Sequence, residues 1–165
     1  NPQPVSNNLL YGEFHENLKL KTSMPYMEPV YNILEKHHGK VIYFDFWARW
    51  CPPCLAEMEP LKQLRSKYST KDLVIYSICV SEPKEEWEEC LNEYSLKNRG
   101  IECIYASDYF GKDNLQKIRK QWKIDRMPYY LLLNRKGQIV DFGTTARPSN
   151  PQFISRIEEA VKDSK

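Results

Sequence analysis

At 165 residues the chain has the size of one compact domain, and a chain of that length buries roughly 70% of its unfolded surface without disulfide staples. Its hydrophobic content of 41% and charged content of 28% exclude wholesale disorder, and a formal charge of +2 leaves no electrostatic footprint for nucleic acid. Five cysteines are an odd count, and too sparse for a disulfide scaffold, so their task is something other than stapling the fold.

Asn1 to Asn8 is polar and proline-containing and reads as a linker, while Leu9 to Ser23 follows neither a helical nor a strand period. An N-terminal extension over residues 1–24 is therefore expected ahead of a single domain over 25–165. Met27, Val30, Tyr31 and Leu34 have helical spacing, and Gly39 follows as a stop. Val41 to Trp47 is a β-branched and aromatic run, the pattern of a strand buried on both faces. Pro52 and Pro53 open a helix with Leu55, Met58, Leu61, Leu64 and Tyr68 inward, and Pro60 inside that pattern predicts a kink. A second buried strand runs from Leu73 to Val80. Ser81 and Pro83 then introduce a helix with an inward stripe of Trp87, Cys90, Leu91 and Tyr94.

Ile101 to Tyr105 is a short strand, and Asp113 with Gln116 has capping-box spacing ahead of Leu115, Ile118 and Trp122. Tyr129 to Leu133 and Gln138 to Phe142 flank the turn Asn134-Arg135-Lys136-Gly137, with glycine where a positive φ is needed. Ser149, Asn150 and Pro151 start a last helix with Ile154, Ile157 and Val161 inward. Alternating strands and helices predict an α/β domain with parallel neighbours, to which the hairpin adds an antiparallel edge. No run of about 18 apolar residues is present to cross a membrane.

Chemistry concentrates at Trp50-Cys51-Pro52-Pro53-Cys54, where a buried strand passes into a helix. Cys51 falls at the N-cap, where free N–H groups favour a thiolate, and Cys54 lies one turn further in. One accessible and one shielded sulfur are what thiol–disulfide exchange requires: Cys51 attacks and Cys54 resolves. Other readings exist for such a pair. Zinc would need a second pair at suitable spacing, whereas Cys79, Cys90 and Cys103 are isolated, so no metal is expected. Haem attachment needs a histidine where Leu55 stands. A purely structural disulfide leaves Trp50 and the helix-start placement unexplained. Asp45, inside the strand, is either a buried proton exchanger or an outward-pointing aspartate. Met127-Pro128 precedes the strand at Tyr129.

The stretch Phe44 to Cys54, with Met127-Pro128 downstream and Gly137 in the hairpin, resembles the thioredoxin superfamily, and more narrowly the extracytoplasmic TlpA/ResA-type thiol–disulfide oxidoreductases. The resemblance implies a thioredoxin fold with a central mixed sheet flanked by helices, with the helix from Lys84 and the strand Ile101 to Tyr105 as an inserted helix–strand unit. It makes Cys51 the nucleophile, Cys54 the resolving cysteine and Asp45 the buried acid. Trp50, Pro52, Pro53, Met127 and the cis-proline Pro128 then form the substrate-binding surface. It further implies protein disulfides or dithiols as substrates, a membrane or periplasmic thiol as electron donor, and no cofactor beyond the Cys51–Cys54 disulfide. The setting it implies is a bacterial periplasm, with a tether upstream of Asn1. Plain thioredoxins carry a lysine on the strand after the motif; Leu73 to Val80 has none.

Pro52 and Pro53 lack N–H groups, so Cys54 supplies the first main-chain donor near the Cys51 sulfur, with Arg49 as an exposed source of positive charge. A weakly supported thiolate, only modestly below the free-thiol value of ~8.5, goes with a reductase. Cys79, Cys90 and Cys103 read as small buried hydrophobes, with a Cys90–Cys103 disulfide as an alternative. Glu57 and Glu59 suit the first turns of their helix. A non-catalytic binding or redox-sensing module is the competing function.

Overall fold

The computed structural model describes residues 24–163, so the extension expected over 1–24 lies, apart from Met24, outside the described residues. In chain order a 3-10 turn, Pro25–Met27, leads into α1 (Glu28–Lys36), β1 (Val41–Trp47), α2 (Pro52–Ala56) and α3 (Met58–Lys67). Then follow β2 (Leu73–Cys79), α4 (Lys84–Glu93), β3 (Ile101–Tyr105), α5 (Ala106–Phe110) and α6 (Lys112–Gln121). The chain ends with β4 (Tyr129–Leu133), β5 (Ile139–Gly143) and α7 (Pro151–Lys162).

The strands form one mixed sheet in the order β3-β2-β1-β4-β5. β1, β2 and β3 are parallel, and β4 and β5 run antiparallel to their neighbours. All seven β1 residues are buried, because helices cover both sheet faces. Alternation along β1 sends Ile42, Phe44 and Phe46 to a layer with α1 and α6, and Val41, Tyr43 and Trp47 to the layer of α2, α3 and α7. Cys51 and Cys54 belong to the second layer.

Four local expectations change. Pro60 does not kink one continuous helix. The helix breaks at Glu57, and Pro60 occupies the first turn of α3, where a missing N–H leaves nothing unpaired. The Asp113–Gln116 capping box does not form; Gly111 stands at the N-cap with φ 85°, and no side chain caps the helix. An unforeseen short helix, α5, precedes it. The buried face of α7 is Phe153, Ile157 and Ala160, one step round from the expected stripe, leaving Ile154 and Val161 partly buried. Asn150 caps that helix through its side chain, which accepts from the Gln152 N–H at 3.1 Å. In the β4–β5 turn, Gly137 has φ 80° and Asn134 Oδ1 accepts from the Lys136 and Gln138 N–H groups, each at 3.0 Å.

Candidate active site

The chain leaves β1 at Trp47 and turns within four residues into α2, whose N-cap is Cys51 in an extended conformation (φ −113°, ψ 95°). Two bonds fix this turn: the Cys51 N–H donates to Ala48 O at 3.2 Å, and the Arg49 N–H to Ser81 Oγ at 2.8 Å. Cys51 and Cys54 form a disulfide with 5.3 Å between their Cα atoms. With Pro52 and Pro53 at the first two helical positions, the Cys54 N–H donates to Cys51 Sγ at 3.3 Å. Arg49 sends its guanidinium toward Glu93, at 3.8 Å, rather than serving the sulfur alone.

Exposure differs from the expectation of one open and one shielded sulfur. Cys51 is 4% exposed and Cys54 2%, so both lie beneath a rim that includes Trp50, 69% exposed, and the exposed Pro52 and Pro53. Met127 packs against the buried layer that holds both cysteines. Pro128 is buried behind a cis Met127–Pro128 bond. It lies one step beyond the Phe46–Tyr129 pair, at the sheet end where β1 runs toward Cys51.

Asp45 shares the sheet face of Tyr43 and Trp47, so its carboxyl enters the same layer as the cysteines rather than pointing outward. Its Oδ1 is buried without a hydrogen-bond partner. Burial, and secondarily the Glu57 carboxylate, push Asp45 up to about 8. Abreast of it on β2 is Ser77 rather than a lysine, and the Ser77 hydroxyl accepts the Trp47 indole N–H at 2.8 Å. Abreast on β4 is Tyr130, whose hydroxyl is buried and unpartnered.

Glu57 is the residue that sequence reasoning undervalued. In the chain it resembles Glu59, another helix-start acid, yet Glu59 is exposed and paired with Lys62 at 3.0 Å, whereas Glu57 is buried. The signal was its position three residues after Cys54, which places it on the same helix face. Its carboxylate accepts from the Ser149 N–H at 3.0 Å and the Ser149 hydroxyl at 2.6 Å.

Cys79, Cys90 and Cys103 are free thiols, so the alternative Cys90–Cys103 bridge is not formed. Cys103 Sγ instead faces the Leu96 and Ile101 carbonyls, and burial, then Glu102, pushes it up to about 11. Among the described residues no group of three His, Cys, Asp or Glu side chains gathers to hold a metal ion.

Known proteins resemble this chain in sequence and fold. The Redoxin family matches residues 27–160. A thiol-disulfide oxidoreductase ResA of Geobacillus thermodenitrificans is 32% identical over 127 residues, covering 76% of this chain and 67% of its own length. The ResA of Halalkalibacterium halodurans is 25% identical over 134 residues, covering 78% of this chain and 66% of its own. The chain spans 54% to 66% of the length of the first curated relatives that it matches. Among solved structures, a Neisseria meningitidis protein described as a thioredoxin superposes with a TM-score of 0.64 at 20% identity, covering 79% of this chain and 81% of that one. The sheet and its flanking helices are thus a thioredoxin fold, and the chain belongs to the redoxin family, among relatives of the ResA type.

Proposed function

We propose that this domain is an enzyme, a thiol–disulfide oxidoreductase that reduces protein disulfides through Cys51 and Cys54. The observation that carries the reading is a helix N-cap cysteine, disulfide-bonded to a partner one turn further in, on the sheet face that also holds an unpartnered buried carboxyl.

In the proposed cycle the reduced Cys51 thiolate attacks one sulfur of a substrate disulfide. The substrate S–S bond breaks, its second sulfur leaves as a thiolate and takes up a proton, and Cys51 is held in a mixed disulfide. In the fraction of molecules whose Asp45 carboxyl is ionised, the Cys54 thiol then passes its proton to that carboxylate and attacks Cys51 Sγ. The substrate's remaining sulfur departs as a thiolate. Two electrons have moved from the cysteine pair to the substrate, and an external dithiol returns them. A carboxyl held near 8 is matched to a thiol, which makes the transfer between them nearly level in energy. No cofactor is required beyond the two sulfurs.

Trp50, Pro52, Pro53 and Met127 supply the docking rim in this reading, with Pro128 at its buried edge. The domain acts outside the cytoplasm, in a bacterial periplasm, with protein disulfides as substrates and a membrane or periplasmic thiol as donor. Among the described residues no helix is long and apolar enough to cross a membrane. Capture tests the reading. With Cys54→Ala, a disulfide-containing substrate accumulates on Cys51 as an adduct that dithiothreitol releases. Failure to form any such adduct with oxidised insulin would contradict it.

A further inference from the structure

Positive charge is spread along the chain, and the fold gathers it at the end of the sheet opposite the cysteines. β1, β2 and β3 are parallel, so all three begin at that end, and there β4 turns into β5. Lys36 and Lys40 lead into β1, Lys67 and Lys71 into β2, and Arg99 into β3, while Arg135 and Lys136 make the β4–β5 turn. Residues 36–40, 67–72, 98–100 and 134–138 hold one acid, Asp72, and Arg135 binds it at 3.0 Å. The same guanidinium donates to Gly39 O at 3.3 Å and Val161 O at 2.7 Å. Beneath it, buried Arg65 donates to Tyr68 O at 2.9 Å and Gly100 O at 3.5 Å. These bonds join the four connections and the end of α7 into one surface.

We propose that this basic end of the domain is a docking surface for an anionic phospholipid bilayer, which holds the cysteine pair facing away from the membrane. Lys36, Lys67, Lys71 and Lys136 are exposed, and none of them is in an ion pair among the described residues. At the end of α7, Lys162 and Asp163 cancel. Even with Glu35, Glu102 and Glu158 counted from the neighbouring elements, cations outnumber acids here. Around the cysteines, by contrast, the signs are matched: Arg49 meets Glu93 at 3.8 Å, and Arg126 meets Asp125 at 4.0 Å.

Three features select a bilayer as the occupant. The cations form a row from β3 to β4, about 15 Å at the usual strand spacing, which is too wide for one small anion and suits an extended charged surface. The exposed large apolar residues are Trp50, Tyr109 and Val140, all outside these connections. No aromatic face is therefore offered to stacked bases, and no apolar anchor to a peptide. Finally, the outward charges are mostly lysines, mobile point charges that suit a fluid layer of headgroups, whereas the Arg135 fork is spent inside the protein.

The test is co-sedimentation of the full chain with vesicles. At low salt it sediments with phosphatidylglycerol and phosphatidylcholine in equal parts, stays in solution with phosphatidylcholine alone, and is released by added salt. Combining Lys36→Gln, Lys71→Gln and Lys136→Gln weakens partitioning roughly a hundredfold, at about fivefold per lysine. The control combines Lys112→Gln, Lys117→Gln and Lys120→Gln on α6, whose last residue, Gln121, accepts the Tyr26 hydroxyl at 2.9 Å ahead of α1. It removes the same charge from another face and shifts partitioning by less than about threefold. On the vesicle-bound protein Trp50 stays open to quenching by acrylamide. No sedimentation with the anionic vesicles, an equal effect of the two sets of substitutions, or shielding of Trp50 each overturns the proposal. Tighter binding to duplex DNA than to the vesicles would make nucleic acid the occupant and overturns it as well. The surface does not depend on exchange chemistry, so vesicle binding and capture on Cys51 succeed or fail separately.

Discussion

Cys51→Ser lowers dithiothreitol-driven reduction of insulin to the uncatalysed background, a drop of at least about a hundredfold. The size of the effect follows from the nucleophile. A serine hydroxyl at the same N-cap still accepts the Cys54 N–H, so the helix start survives, but at neutral pH it is not ionised and does not attack sulfur. Stability relative to the reduced wild-type protein changes little, because serine is also a favoured N-cap residue. The variant therefore separates chemistry from folding. No insulin reduction above the uncatalysed background by the wild-type protein itself would favour a binding or redox-sensing module, in which the cysteine pair reports redox state without turning over substrate.

Asp45→Asn removes a pH dependence of stability worth about 4 kcal/mol between pH 5 and pH 8. In the folded protein the carboxyl keeps its proton up to about 8, whereas in the unfolded chain it ionises near ~3.9. Between those values the folded state binds one proton more than the unfolded state. The stabilisation is fully present below the unfolded value, and it is lost as pH rises toward the folded one. Urea unfolding of the oxidised protein, in which the active-site cysteines do not titrate, measures this directly. Wild-type stability falls more steeply over that range than stability of the Asp45→Asn variant. Parallel curves would mean that the fold does not raise the Asp45 carboxyl above its unfolded value, which removes the match to a thiol on which its proposed role as proton acceptor rests.

The residues that were legible in the sequence are those whose local surroundings dictate their place. The β-branched and aromatic run of β1, interrupted only by Asp45, announces burial on both faces, and Ser149-Asn150-Pro151 announces a helix start. Cys51 before two prolines announced a helix start under a sulfur. Tertiary relations were not legible. Glu57 and Glu59 look alike in the chain, and only the helix break at Glu57 sends one inward and leaves the other to Lys62. Ser149 reads as a helix-start residue, and nothing local says that it meets a carboxylate 92 residues away. Pro60 shows the limit of a residue rule taken without position. The same missing N–H that kinks a helix interior is harmless in a first turn. The phase of α7 differs from the expected stripe because Phe153 lies so close to the start, where burial depends on the angle at which the helix meets the sheet. Tyr130 likewise looks like its strand neighbours in the chain, and that it stands abreast of Asp45 is set by the pairing of β1 with β4.

Direction is the central claim, and it rests on how little supports a Cys51 thiolate. One main-chain N–H reaches the sulfur, two prolines withhold theirs, and Arg49 is engaged with Glu93. On the proposed reading, a thiolate so weakly favoured leaves the reduced form without special stability, as expected of a pair that donates electrons. Equilibrating the Cys51–Cys54 pair against glutathione and dithiothreitol buffers, with alkylation to count the free thiols, tests this most directly. The account predicts a half-reduction point on the negative side, toward the thioredoxin value of about −270 mV, with the disulfide intact in buffers that reduce a strong oxidase. Half-reduction already near about −120 mV, the range of such an oxidase, would contradict it.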